Sequence, residues 1–145
     1  MKTVAGILRV KGRDIWSVAP DDTVLDALRL MAEQDVGAVL VMDKQGVVGI
    51  MSERDYARKV SLQGKSASDT FVREIMTRRM VCVRTDQTAE ECMALMTSKR
   101  VRHLPVLEDG RLAGVISIGD VVKAVISDQV FLIEQLENYI TTGVS

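Results

Sequence analysis

The sequence predicts an α/β (α+β) fold made of two tandem β-α-β-β-α units that pack about a pseudo-twofold axis. Three observations predict it: an internal repeat, a helix start in each copy, and two β-rich runs joined by a turn in each copy. The repeat is a gapless match of Ile15–Val60 with Met80–Val125, which are 65 positions apart. A unit of roughly 50 residues cannot bury both faces of a small sheet alone, so the copies should pack together.

The first helix of each copy has a clear start. Thr23 and Thr88 each place a hydroxyl three residues before a carboxylate, that of Asp26 or Glu91, and apolar residues then follow at helical spacing. This arrangement is typical of a capping box, in which the hydroxyl and the carboxylate bond the first backbone N–H groups.

A hairpin and a second helix follow in each copy. The β-rich runs are bounded by turn residues, and they are Val36–Met42 with Val47–Met51 and Val101–Leu107 with Leu112–Ile116. The second helices should begin near Ser52 and Ser117, and the first of these should continue to about Leu62.

These elements predict four segments. They are residues 1–62 (N-terminal segment and first repeat), 63–69 (linker), 70–126 (second repeat) and 127–145 (helical tail). Two terminal pieces lie outside the repeat, the short apolar segment Thr3–Val10 and the tail. The tail carries apolar residues at helical spacing, namely Val122, Val125, Ile126, Ile133, Leu136 and Ile140. It could pack on its own core or form the seam of a dimer.

Composition excludes several classes of function. The 145 residues carry a net charge of −1 and only five aromatic side chains, which argues against nucleic acid as a partner. The longest apolar run is far shorter than the roughly 20 residues that a membrane helix needs, and no export signal is evident. Cys82 and Cys92 have no metal-ligand spacing with His103, so we expect no metal site and a reducing cytoplasm.

One motif occurs twice, as Gly-x-x-Ser-x-x-Asp in Gly49–Asp55 and in Gly114–Asp120. Each could be a capping box that serves stability alone. The same geometry also suits a ribose phosphate, because a helix start attracts anions and a nearby carboxylate accepts two hydrogen bonds from a diol. Each glycine would let a flat base approach the backbone.

With these motifs the chain resembles the paired cystathionine-β-synthase-type (CBS) regulatory domains, in their small stand-alone form. The resemblance covers about Thr3 to Ile126. It rests on both Gly-x-x-Ser-x-x-Asp motifs, both threonine-led helices, the segment Arg102-His-Leu-Pro-Val106 and the repeat itself.

The resemblance implies sites for adenosine compounds (AMP, ADP, ATP, NAD(H) or S-adenosylmethionine) in the cleft between the repeats. Residues at the helix starts would contact ribose or phosphate, namely Ser52, Arg54, Asp55, Ser117 and Asp120. Residues entering each repeat, together with apolar positions near the hairpins, would line the adenine: Ser17, Val18, Ala19, Pro20, Val36, Gly37, Ala38, Cys82, Val83, Arg84, Thr85 and Val101.

The copies differ in charge. Opposite Asp35, Gly37 and Ala38 of the first repeat, the second repeat has cationic side chains, which are Arg100, Arg102 and His103. We therefore expect phosphates near the second repeat. Arg58 and Lys59 are expected on a solvated helix face.

No catalytic residue is predicted, because His103 has no evident nucleophile and no orienting acid. The sequence favours a regulatory nucleotide sensor, forming a homodimer, that signals to an unknown effector protein through its conformation or assembly. The alternative is a structural oligomerisation protein with no nucleotide ligand.

Overall fold

The chain forms two compact units in the computed structural model, which describes the backbone of residues 2–144 and the side chains of residues 2–138. One unit is Asp14–Met80, and the other combines Met1–Arg13 with Val81–Ser145. We call them the Asp55 unit and the Asp120 unit, after the motif aspartate that each contains. The bounds of these units differ from those of the segments drawn from the sequence repeat. The N-terminal helix packs with the second repeat, and the segment before Val81 packs with the first.

The elements are as follows, in chain order: α1 (Val4–Lys11), β1 (Ser17–Val18), α2 (Val24–Gln34), β2 (Ala38–Asp43), β3 (Gly46–Ser52), α3 (Glu53–Tyr56) continuing as a π-helical turn (Ala57–Ser61), α4 (Val72–Ile75), β4 (Val83–Arg84), α5 (Ala89–Lys99), β5 (His103–Glu108), β6 (Arg111–Ser117) and α6 (Ile118–Val144). The β-α-β-β-α order predicted for each repeat is confirmed.

Each unit has one three-stranded sheet, β1-β2-β3 or β4-β5-β6, with a parallel first pair and an antiparallel second pair. Ala38 pairs with Ser52 in the first hairpin, and His103 pairs with Ser117 in the second. Each motif serine therefore ends a strand, directly across from the first residue of the neighbouring strand.

The first helices begin at the predicted threonines. The Asp26 N–H donates to the Thr23 hydroxyl at 3.1 Å, and the Glu91 N–H donates to the Thr88 hydroxyl at the same distance. Both helices end at a residue in the left-handed conformation, Asp35 with φ 53° and Arg100 with φ 55°. The repeat thus extends to the backbone angles of the helix ends.

The second helices differ between the copies. The first reaches about Leu62 as predicted, but its hydrogen bonding changes from α to π at Ala57. In the second copy α6 continues without a break to Val144. Among the described residues, no helix combines the length and the apolar character that a membrane span needs.

Val125 packs against the core of the Asp120 unit, and Lys2 bonds Ser127 and Asp128 of α6. From Ile126 onward the large apolar side chains of α6 are 47–63% exposed, and they are Ile126, Val130, Phe131, Leu132, Ile133 and Leu136. The side chain of Ile140, which belongs to the same predicted set, lies outside the described residues.

Each unit has its own hydrophobic core. In the Asp55 unit α4 contributes Val72 and Ile75 to a core that also contains Met51 and Val60. In the Asp120 unit α1 takes the corresponding role, and its residues Val4, Ile7 and Leu8 are all buried.

Candidate functional site

The Asp120 motif caps the N-terminus of α6. The Ser117 N–H donates to Asp120 Oδ2 at 2.8 Å, and the Asp120 N–H donates to Ser117 Oγ at 3.2 Å. The capping box considered from the sequence is therefore present. One carboxylate oxygen, Oδ2, accepts the capping bond.

A lysine of α1 contacts the Asp120 carboxylate. Lys11 Nζ lies 2.6 Å from Asp120 Oδ2 and also donates to the Val115 carbonyl oxygen at 2.6 Å. Burial alone would raise the pKa of Asp120, but the hydrogen bonds from Lys11 and Ser117 outweigh burial and hold this pKa below its ordinary value. Asp120 is thus an ionised carboxylate at neutral pH.

The Asp55 motif also caps a helix, here α3. The N–H and the hydroxyl of Ser52 both donate to Asp55 Oδ2, at 3.0 and 3.1 Å. Two further groups contact the other oxygen, Oδ1: Lys59 Nζ at 2.9 Å and Thr77 Oγ1 at 3.3 Å. Both oxygens of Asp55 therefore have partners within the unit.

The two carboxylates differ in which oxygens their partners contact. Lys11 and the Ser117 N–H both contact Oδ2 of Asp120, whereas Asp55 has partners on both oxygens. The Asp120 side chain is also the more exposed of the two, at 20% against 13% for Asp55.

The motif glycines accommodate the chain itself. A Cβ on Gly49 would lie 2.9 Å from the Thr77 carbonyl oxygen, and a Cβ on Gly114 would lie 2.9 Å from a methyl group of Leu8. The expectation that a flat base approaches these glycines is therefore wrong, since residues before β4 and on α1 fill the space.

The backbone of the basic residues predicted near phosphate lies close to the Asp120 motif. Arg102 accepts the Ile118 N–H on its carbonyl oxygen at 2.8 Å, and His103 pairs with Ser117 across the sheet. Arg100 is the left-handed residue that ends α5, two positions earlier. The register of β5 and β6 thus brings the start of β5 to the start of α6.

In the Asp55 unit, the corresponding positions carry no basic side chain and include the acidic residue Asp35. Gly37 accepts the Glu53 N–H at 3.0 Å, as Arg102 accepts that of Ile118. A depression of about 260 Å³ includes the predicted residues Val36 and Gly37 but also the acidic residues Asp35 and Glu53. The lining of this depression is therefore acidic, whereas the start of β5 in the other unit is basic.

The predicted adenine-lining residues fall into three groups. Ser17, Val18, Val83 and Arg84 form the short strands, and Val18 and Val83 are buried in the two cores. Ala19 and Pro20 follow β1, and Cys82 and Thr85 flank β4. Val36, Gly37 and Val101 precede the hairpins, and Ala38 begins β2.

Some of the backbone groups expected to face adenine already have partners. The Pro20 carbonyl oxygen accepts the Arg73 N–H, and the Thr85 carbonyl oxygen accepts the Ala5 N–H. The Ala19 N–H donates to Asp22 Oδ2 and the Arg84 N–H to Gln87 Oε1, both at 2.8 Å, so these donors are also engaged within their units.

Neither cysteine has the environment of a reactive thiol. Cys92 is buried, and burial together with the charge of Glu91 raises its pKa to about 11. Cys82 is exposed, but its thiol is partly shielded from water, and this desolvation raises its pKa. Within the described residues, no three His, Cys, Asp or Glu side chains are placed to hold a metal ion.

The sequence analysis missed three residues that contact the motif aspartates: Lys11, Lys59 and Thr77. Lys59 is exposed, as expected, and its ammonium group also contacts Asp55 and donates to the Ile75 carbonyl oxygen. The spacing of four residues between Asp55 and Lys59 is the only local indication of this contact.

Paired β-α-β-β-α units that share a serine–aspartate motif define the class of paired regulatory domains expected from the sequence. The sequence pattern of the CBS domain matches residues 8–62 and 72–127. The chain belongs to the CBS domain family.

Relatives agree with this assignment. The chain is 37% identical to the mitochondrial CBS domain-containing protein CBSX3 of Arabidopsis thaliana, over 97% of this chain and 73% of that protein. It is 54% identical to a protein with CBS domains from Burkholderia ambifaria, with a TM-score of 0.84 over 88% of this chain and 96% of that one. The CBS domain pair of protein MJ0100, solved with 5′-methylthioadenosine and S-adenosyl-L-methionine, is 21% identical with a TM-score of 0.76 over 88% and 98% of the chains.

Proposed function

We propose that this protein is a regulatory module that binds an adenosine compound at the Asp120 motif. The leading candidates for this compound are AMP and NAD(H). The observation that carries the proposal is an ionised, partly exposed carboxylate at the start of a long helix, on which the bonds from Lys11 and the Ser117 N–H both fall on Oδ2. A ribose diol donates two hydrogen bonds, and a charged acceptor strengthens each of them.

Capping and binding do not compete at this carboxylate. The cap uses Oδ2, and a ribose hydroxyl would use Oδ1, so Asp120 can hold the helix start and the ligand together. Ser117 would contact ribose or phosphate alongside it.

Charge favours phosphates at the same end of the Asp120 unit. His103 begins β5 next to the start of α6, and Arg100 and Arg102 shortly precede it. Helix N-termini and cationic side chains both attract phosphate. Arg54 and Ser52 remain proposed ribose or phosphate contacts on the Asp55 unit, where the depression beside α3 carries acidic residues instead.

The family gives independent support for an adenosine ligand. The MJ0100 pair was solved with two adenosine compounds, although at 21% identity the likeness extends to the fold alone. The free thiols of Cys82 and Cys92 suit a reducing compartment such as the cytoplasm, where we place the protein.

The exposed apolar residues of α6 favour a second property, self-association. Six large apolar side chains on one helix exceed the scattered exposure usual for a monomer. We propose a homodimer formed through this helix. A structural oligomerisation protein without a nucleotide ligand would show this property alone.

A melting assay tests the proposed ligand. The panel contains AMP, ADP, ATP, NAD, NADH and S-adenosylmethionine. A compound present at 100 times its dissociation constant should add about 2.7 kcal/mol of stability by mass action and raise Tm. If no compound raises Tm and the purified protein releases no nucleotide on denaturation, the sensor function is wrong.

A further inference from the structure

We propose that Lys59 closes the Asp55 motif, so that each chain binds one nucleotide, at Asp120, although it carries two copies of the motif. This inference rests on the proposed function and specifies which of the two motif copies binds the nucleotide. Its physical basis is the different set of donors on the two carboxylates.

Asp55 has no oxygen left for a diol. Its Oδ2 accepts the two capping bonds from Ser52, and its Oδ1 accepts Lys59 at 2.9 Å and Thr77 at 3.3 Å. A ribose hydroxyl would have to displace the Lys59 ammonium group, and its own hydrogen bond to the carboxylate would lack the attraction between opposite charges that Lys59 provides.

Lys59 is held in place by more than this ion pair. Its ammonium group also donates to the Ile75 carbonyl oxygen at 2.9 Å, at the end of α4. It lies in the π-helical turn, which the second repeat lacks. These contacts orient Lys59 toward Asp55, and losing them would add to the free-energy cost of ligand binding.

The second repeat has no equivalent lysine. The residue 65 positions after Lys59 is Ala124, which is 5% exposed and packs in the core of the Asp120 unit. The lysine that does reach Asp120, Lys11, comes from α1 and shares the capped oxygen Oδ2. Lys11 therefore neutralises part of the charge of Asp120 without occupying Oδ1.

Calorimetric titration with AMP tests the inference by counting sites. The variants are Lys59→Met, which keeps the length of the side chain and removes its charge, and, as the matched control, Lys44→Met, which makes the same change on the exposed turn between β2 and β3. We expect one AMP per chain for the parent protein and for Lys44→Met, and two for Lys59→Met. The double variant with Lys59→Met and Asp120→Asn should keep one site, now at Asp55.

Each other outcome overturns the inference. Two equivalent sites in the parent protein would show that Lys59 does not close the first motif. One site in Lys59→Met, with an unchanged melting temperature, would show that removing the lysine does not open it. Absence of AMP binding in every variant contradicts the inference as well, whereas the proposed function fails only if the whole nucleotide panel leaves Tm unchanged.

Discussion

Asp55 and Asp120 occupy equivalent positions in the repeat, yet lysines from different elements contact them. Lys59 follows Asp55 by one helical turn, whereas Lys11 comes from a helix 109 residues before Asp120. Two copies of the same sequence motif therefore contain carboxylates with different hydrogen-bond donors.

The lowered pKa of Asp120 predicts how stability depends on pH. Because the folded state holds this carboxyl ionised, the unfolded chain binds the proton first as the pH falls. Asp120 then stabilises the fold above the ordinary pKa of about 4, and this contribution is lost as the pH falls through the lower folded pKa. Urea unfolding between about pH 5 and pH 3 should show a steeper loss of stability for the parent protein than for Asp120→Asn.

The control for that measurement is Asp109→Asn, which makes the same charge change on an exposed turn. It should leave the slope as in the parent protein. An Asp120→Asn profile with the parent slope would show that the contacts from Lys11 and Ser117 do not stabilise the ionised form.

Sequence reasoning found the aspartates but not their lysine partners. The serine–aspartate spacing is local, and its hydrogen bonds form within one turn, so the pattern alone predicts the cap. The contact of Lys11 depends on Leu8 seating α1 against Gly114. That packing is set by tertiary structure, and no local pattern shows it.

Among the elements, helix starts were predicted well because each has its own local chemistry. Thr23 and Thr88 cap α2 and α5 as expected. The change to π-helix at Ala57 was not predicted, since hydrogen bonding that differs by one residue leaves the apolar pattern almost unchanged. The spacing of apolar residues in the tail correctly predicted a helix, but it did not indicate what the apolar face of that helix contacts.

Helix α6 predicts an assembly that one substitution can disrupt. Ile133 is 54% exposed, so Ile133→Glu should leave the folding stability nearly unchanged. If α6 forms the dimer contact, the charge would be buried in the interface and the dimer should dissociate. Sedimentation should then give a monomer for Ile133→Glu.

Gln129→Glu is the matched control, because it adds the same charge at an exposed polar position of α6. It should weaken the dimer less than Ile133→Glu does. A parent protein that sediments as a monomer, or an Ile133→Glu variant that remains dimeric, would contradict a dimer formed through this helix.

In the whole molecule, the repeat in the sequence and the compact units differ at their boundaries. Each unit completes its core with a segment that precedes the other repeat, α1 in the Asp120 unit and α4 in the Asp55 unit. The duplicated motifs predicted the fold class, because both copies obey the same local rules. The exchange of segments was not predictable from residues 63–69, since a polar linker does not indicate where the chain packs next.

The dissociation constant of AMP for Asp120→Asn tests the central claim most directly. Asparagine keeps an acceptor for the helix cap, so folding stability should change by at most about 1 kcal/mol. If Asp120 holds the ribose, the loss of a charge-assisted acceptor should weaken AMP binding by about 1.5–3 kcal/mol, roughly 10- to 150-fold. Asp55→Asn should bind AMP as the parent protein does. An Asp120→Asn variant that binds AMP as tightly as the parent protein, or whose loss of affinity disappears once folding stability is taken into account, would contradict the claim.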